Sequence, residues 1–221
     1  MTVTEWIIQN PDNTLSVAAR AIQTLAGHYA RRAGEDDSVG YELTHVLDSL
    51  QFPEAPRGEL EEKAHPIREH LAGPQSSVSG TVGDVLDAFR VLFPVLPWRY
   101  GYDPRPDFPG LEKRMAWAEL VGPVAPFRNE RICVGITVIA PHTRYAEHFH
   151  PAIESYYVLS GTAYWTAAGV STLQKPGAYI LHPENVEHVM ETTDETLIAA
   201  YTWSGDIVTS SVFSRPPLAG L

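Results

Sequence analysis

Residues 142–161 read His142-Thr143-Arg144-Tyr145-Ala146-Glu147-His148-Phe149-His150-Pro151-Ala152-Ile153-Glu154-Ser155-Tyr156-Tyr157-Val158-Leu159-Ser160-Gly161. His148 and His150 are two positions apart. Side chains alternate along an extended chain, so both imidazoles point to one face. Glu154 follows after a stretch that contains Pro151 and leaves room for a bend. The run 156–159 then reads as a strand closed by the Ser160-Gly161 turn. Two imidazoles and one carboxylate on converging strands make three arms of a metal site. A fourth arm has to come from elsewhere in the chain. His188 is the candidate, in Leu181-His182-Pro183-Glu184-Asn185-Val186-Glu187-His188-Val189-Met190.

Outward from this stretch, the chain from Arg131 onward reads as short strands separated by turn signals. The expected strands are 132–139, 155–159, 162–166, 171–173, 178–181, 187–192, 197–203 and 207–213. Even spacing with β-branched and aromatic residues points to a mainly β fold, a jelly-roll barrel over 131–221. Residues 1–95 read instead as a helical N-terminal extension. Asn13-Thr14 can cap a helix carrying Leu15, Val17, Ala18, Ala21, Ile22 and Leu25, with Arg31 and Arg32 at its end and Gly34 as its stop. Further helices are expected at 38–50, 58–71 (with Pro66 inside it) and 81–93, with a loop at 73–77. The histidines of this half, His28, His45, His65 and His70, form no ligand pair and read as structural. Residues 96–130 are rich in proline and aromatics and read as a connector packed on the barrel, too apolar to stay solvated.

Composition narrows the function. A formal charge of −11 over 221 residues disfavours nucleic acid or an anionic membrane as partner. The single cysteine, Cys133, rules out an internal disulfide and sits in an apolar run, where a buried inert thiol is the expected reading. Trp6-Ile7-Ile8 is too short for a signal-peptide core, and no stretch reaches the ~18 apolar residues of a membrane span. A cytoplasmic protein is therefore expected.

His148, His150, Glu154 and His188 offer three nitrogens and one oxygen. That set suits Zn2+, Fe2+, Mn2+, Co2+ or Ni2+ and leaves coordination positions open, which a Lewis-acid or redox reaction requires. An isolated His-x-His is ordinarily a surface pair on a strand, but here Glu154, Gly161 and His188 complete a known pattern. The first cupin motif, His-x-His followed by Glu and then Gly, resembles His148, His150, Glu154 and Gly161. The second, Pro-x-Gly-x-x-His, resembles Pro183 and His188 with Asn185 in the glycine's place. Asn tolerates a positive φ next best, so the turn is expected to survive. The glycine that usually precedes the first motif is replaced by His142, expected at a strand end. The cupin resemblance covers about residues 130–213. It implies a cupin barrel with one divalent metal and pairing through barrel edges into a homodimer, but it leaves the reaction open.

A narrower resemblance is to the bacterial cupin-type dimethylsulfoniopropionate lyases. It rests on Pro97-Trp98-Arg99-Tyr100-Gly101-Tyr102-Asp103-Pro104-Arg105-Pro106-Asp107, on Met115-Ala116-Trp117-Ala118-Glu119, on Tyr145 ahead of the His pair, and on Glu154-Ser155-Tyr156-Tyr157-Val158-Leu159-Ser160-Gly161. The resemblance implies that His148, His150, Glu154 and His188 hold the metal, that Tyr145 and Tyr156 act beside it, and that the substrate, a small zwitterion, is cleaved to dimethyl sulfide and acrylate. Tyr156 shares a strand face with Glu154, and its phenol, near pKa ~10 when unperturbed, would serve as a base if a cation lowered it. Aromatic faces attract a sulfonium as they do quaternary ammonium. Tyr100, Tyr102, Trp117, Trp165, Trp203 and Tyr164 are candidates, with only one of Tyr164 and Trp165 pointing inward. His182 is a candidate for binding substrate or bracing a ligand, although a place on the rim is the plainer reading. Glu147 reads as solvated. Two other functions use the same residues: an Fe(II) cupin dioxygenase, and a cupin that binds a small molecule without chemistry.

Overall fold

The computed structural model describes residues 9–10, 13–50, 56, 58–60, 64–72 and 80–216. Eleven strands form two sheets among these residues. One has six strands in the order β2-β1-β3-β10-β5-β8: β1 Met115–Gly122, β2 Phe127–Arg128, β3 Ile132–Ile139, β5 Ala152–Ser160, β8 Tyr179–His182 and β10 Leu197–Gly205. The other runs β11-β4-β9-β6-β7: β4 Arg144–Phe149, β6 Ala163–Ala167, β7 Val170–Gln174, β9 His188–Thr192 and β11 Val212–Phe213. All pairings are antiparallel except β1 with β2. This is the cupin jelly roll, with a helical layer from the N-terminal part of the chain.

Every residue of β3 is buried. That follows from a sheet covered on both sides, so the strand reads as a continuous apolar run rather than an alternating one. Ile132, Val134, Ile136 and Val138 join the helical side of the core, as do Tyr157 and Leu159 of β5. Cys133, Ile139, Tyr156, Val158, Leu197 and Tyr201 join the barrel interior. Adjacent residues of one strand thus serve two cores.

Helix α1 spans Thr14–Arg32 and α2 spans Ser38–Ser49; α3 covers Thr81–Arg90 and α4 Leu111–Arg114. Asn13 caps α1 by accepting from the Leu15 N–H at 2.8 Å, and Asp37 caps α2 by accepting from the Gly40 N–H at 2.8 Å. α1 buries Leu15, Ile22, Leu25 and Tyr29, and α3 lies against both α1 and β5. Each such large apolar side chain contributes about 1.5–3 kcal/mol by leaving water. No helix among the described residues is long and apolar enough to cross a membrane.

Four expectations are corrected. The described part of 58–71 holds only a 3-10 turn, Pro66–His70; Pro66 lacks the N–H a helix interior needs, so it opens the turn instead. The connector expected over 96–130 divides at Met115, because β1 and β2 are integral to the larger sheet. The Pro-rich surroundings mask that strand's alternation. The strand expected at 207–213 shrinks to Val212–Phe213. Ahead of it, the Asp206 carboxylate accepts from the N–H groups of Val208 (3.2 Å) and Thr209 (3.0 Å), which turns the chain before pairing can begin. α3 ends at Arg90, three residues before the expected limit. The loop expected at 73–77 lies outside the described residues.

The second-motif turn has the backbone expected of it. Asn185 takes φ 59° in the glycine's place, and His142 takes φ 51°. Gly161 sits at φ 74°, and a Cβ there would stand 2.3 Å from the Thr196 carbonyl oxygen. Gly161→Ala therefore has both strain and overlap to relieve. We expect it to lower unfolding free energy by about 1–3 kcal/mol in urea titration; an unchanged midpoint would contradict this account of the turn.

Candidate metal centre

Strand register assembles the centre. β4 sets His148 opposite His188 of β9, while β5 sets Glu154 opposite His182 of β8 and Trp203 of β10. All of these but Trp203 are buried, His182 completely. His150 Nε2 lies 3.0 Å, His188 Nε2 3.4 Å and His182 Nδ1 3.6 Å from Glu154 Oε2. The Trp203 indole N–H donates to Glu154 Oε1 at 2.7 Å. One group able to hold an ion emerges among the described residues: His150, Glu154 and His188, whose donor atoms all lie within 4.8 Å of one another. His148, expected with His150 and Glu154 among the first three arms, stands outside that tight group with its ring 4.0 Å from that of His188, centroid to centroid.

The hydrogen bonds of the imidazoles fix which nitrogen is bare. His148 Nδ1 meets the Ala146 carbonyl at 2.8 Å, His150 Nδ1 that of Ala152 at 3.0 Å, and His188 Nδ1 that of Val186 at 2.8 Å. A carbonyl only accepts, so each Nδ1 carries a proton and, in the neutral ring a metal requires, each Nε2 keeps its lone pair. A bare Nε2 of His150 against an ionised carboxylate oxygen at 3.0 Å is repulsive unless a cation or a shared proton lies between. The buried Nε2 of His188 has no hydrogen-bond partner at all. Converging lone pairs, a carboxylate and an orphaned nitrogen fit a divalent ion of the Zn2+, Fe2+, Mn2+, Co2+ or Ni2+ group.

Burial opposes ionisation of Glu154, but the close approach of the His150, His182 and His188 rings outweighs it and holds its carboxyl well below the usual range. Burial, then the neighbouring His188, push His148 well below the ordinary histidine value. Burial, then the Glu154 charge, raise the Tyr156 phenol well above its ordinary value. Tyr145 is raised too, by burial and then by Tyr102.

A cavity of about 390 Å³ opens onto this group, within the ~300–1,000 Å³ typical of small-molecule sites. Tyr145, Tyr156, Tyr102, Trp117 and Trp203 line it, all expected from the sequence. Tyr100, Trp165 and His182, also expected at the substrate wall, are not among its lining. Trp165 and His182 are packed behind the centre. As expected, only Trp165 of its pair faces inward; Tyr164 is exposed. His182 is not on the rim either. His142 is exposed beside Asp194, and Glu147 bonds Arg144 at 2.5 Å. His28 stacks on Tyr157 at 4.4 Å on the helical side, and His65 caps the 3-10 turn. Sequence reading missed Tyr201, Thr137 and the segment 207–211 as lining. Tyr201 was within reach, being in phase with Trp203 on β10. Gly135 makes its place, since a Cβ there would meet Tyr201 Cε1 at 2.6 Å.

Tyr145 and Tyr102 share a short hydroxyl hydrogen bond. Tyr102 donates to Ser211 Oγ at 2.7 Å, and Ser211 donates to the Phe149 carbonyl at 3.3 Å. Because Tyr102 spends its proton on Ser211, Tyr145 is the donor to Tyr102.

Comparison with known proteins places this arrangement. The chain is 32% identical over 144 residues to the putative dimethylsulfoniopropionate lyase DddL of Cereibacter sphaeroides, covering 63% of this chain and 60% of that protein. It is 29% identical over 133 residues to the dimethylsulfoniopropionate lyase DddQ of Ruegeria pomeroyi, covering 60% and 66%. The match therefore spans less than two thirds of either relative's length. Crystal structures of DMSP lyase DddQ from Ruegeria pomeroyi DSS-3 (TM-score 0.69, 24% identity, covering 89% of this chain and 96% of that one) and of a chain from the DMSP lyases RdDddP and RnDddQII (TM-score 0.70, 24% identity, covering 90% and 100%) share the fold. A family model for dimethylsulfoniopropionate lyases matches residues 38–199, nearly three quarters of the sequence, and the chain belongs to that family.

Proposed function

We propose that this protein is a metal-dependent carbon–sulfur lyase that cleaves dimethylsulfoniopropionate to dimethyl sulfide and acrylate by β-elimination. The observation that carries the proposal is the set of bare imidazole nitrogens around Glu154, set beside the Tyr156 phenol in an aromatic-walled cavity, in a chain of this family. His150, Glu154 and His188 would hold the ion, with His148 as the adjoining fourth donor. A bound divalent cation supplies positive charge for the substrate carboxylate and for the negative charge that builds beside it during elimination.

The remaining work falls to this chain's side chains. Tyr156 is the base. Burial and the Glu154 charge keep its proton on in the metal-free site. With that charge offset by a bound cation it would act as the phenolate, whose oxygen takes the proton next to the carboxylate while the C–H electron pair becomes the new double bond and the C–S pair leaves on sulfur as neutral dimethyl sulfide, which needs no protonation. Tyr145 is held as a donor toward Tyr102, which suits it to orienting the substrate rather than to abstracting a proton. The faces of Tyr102, Trp117 and Trp203 attract the sulfonium, each worth about 0.5–2 kcal/mol. A desolvated wall also keeps water from competing for these contacts.

Purified protein loaded with a divalent metal should release dimethyl sulfide and acrylate in equal amounts from dimethylsulfoniopropionate without oxygen. Product that appears only with O2, or none with any of the five metals, would overturn the proposal. Tyr156→Phe should cut kcat about 10²–10⁴-fold while binding metal as wild type does, measured by turnover and by metal content after dialysis. A non-catalytic binder would show no such split. Metal at a hundredfold excess over Kd should stabilise the fold by about 2.7 kcal/mol in thermal unfolding. Glu154→Ala and His188→Ala should abolish that gain.

A further inference from the structure

His182 is completely buried and stacks on His188 with ring centroids 3.8 Å apart, yet its hydrogen bonding is unlike that of the three histidines around it. The Trp165 indole N–H meets His182 Nε2 at 3.1 Å. An indole nitrogen only donates, so His182 Nε2 must be the bare, accepting nitrogen. In a neutral imidazole the proton is then on Nδ1. That atom has no hydrogen-bond partner, and Glu154 Oε2 stands 3.6 Å from it. His150 and His188 present lone pairs to the carboxylate; His182 presents an N–H.

From this opposition we infer that Trp165 and His182 form a positioning pair. Trp165 locks the His182 tautomer, which keeps His182 out of the ligand set and steadies the Oε2 oxygen of Glu154 from behind. For His182 to bind an ion through Nδ1, its proton would have to move to Nε2. Trp165 would then face another donor, and its own buried N–H would lose its partner. Carboxylate–histidine contacts of this kind orient ligands in metal sites, and their loss typically costs 10–100-fold in metal affinity. Trp203 holds the other oxygen, Oε1, at 2.7 Å, so the carboxylate is gripped from both sides before any ion arrives. The inference rests on the metal-centre reading, but its first test reads the metal-free protein and does not depend on lyase activity.

Imidazole nitrogen NMR of the ¹⁵N-labelled protein should show His182 with a protonated, pyrrole-type Nδ1 and a bare, pyridine-type Nε2. On adding Zn2+, the Nε2 signals of His150 and His188 should move and neither nitrogen of His182 should take a ligand shift. A proton on Nε2 of His182, or a ligand shift at His182, overturns the assignment whatever the enzyme's activity. For the positioning role, Zn2+ affinity by competition titration should fall about 10–100-fold in His182→Ala. It should be largely restored in His182→Asn, whose amide N–H sits near the place of Nδ1. Equal loss in both variants, or no loss in His182→Ala, overturns it. Should neither variant fold, the NMR result on the unaltered chain still decides the tautomer on which the role depends.

Discussion

A carboxylate with 3% of its surface exposed cannot remain ionised in a protein interior without compensation. Glu154 is such a group, and the centre is arranged around meeting its requirement. Trp203 satisfies one oxygen by direct donation. The other faces His150, His182 and His188 within 3.0–3.6 Å. Two of these imidazoles have their protons turned away toward backbone carbonyls. The result is a negative group with N–H donors on one side and two imidazole lone pairs on the other, an arrangement that suits a cation. The barrel, the registers and the tautomers all contribute to that one electrostatic balance.

The barrel delivers it through the period of two along its strands. On β5, Glu154, Tyr156 and Val158 enter the interior, whereas Tyr157 and Leu159 enter the helical side of the core. A shift of one residue would exchange these sets and take the carboxylate out of the centre. Register is held by burial on both faces, by Gly161 at the end of the strand and by pairing with both β8 and β10.

This explains what could be read from the sequence. His150 and Glu154 lie close in the chain, and His188 follows a recognisable turn, so the His-Glu-His group was legible from spacing and a motif, whereas the place of His148 beside it was not. The positive φ of Asn185 was legible too, because few side chains tolerate it. The place of His182 was not, since it depends on cross-strand register between β5 and β8, which a linear pattern does not encode. Nor was the split of roles among histidines, because a tautomer depends on whether a carbonyl or an indole stands next to the ring. β1 was hidden by its proline-rich neighbours. The loss of the strand at 207–211 turned on one side chain, Asp206, whose competing hydrogen bonds pattern reading does not weigh.

The hydroxyl chain from Tyr145 through Tyr102 and Ser211 ends on the carbonyl of Phe149, the peptide between His148 and His150. Three segments remote in sequence thus share a single thread of protons, anchored on the backbone that carries two of the imidazoles. The cavity wall at Ser211 and the strand that carries His148 and His150 are thereby tied to each other through hydroxyl groups rather than through apolar packing alone.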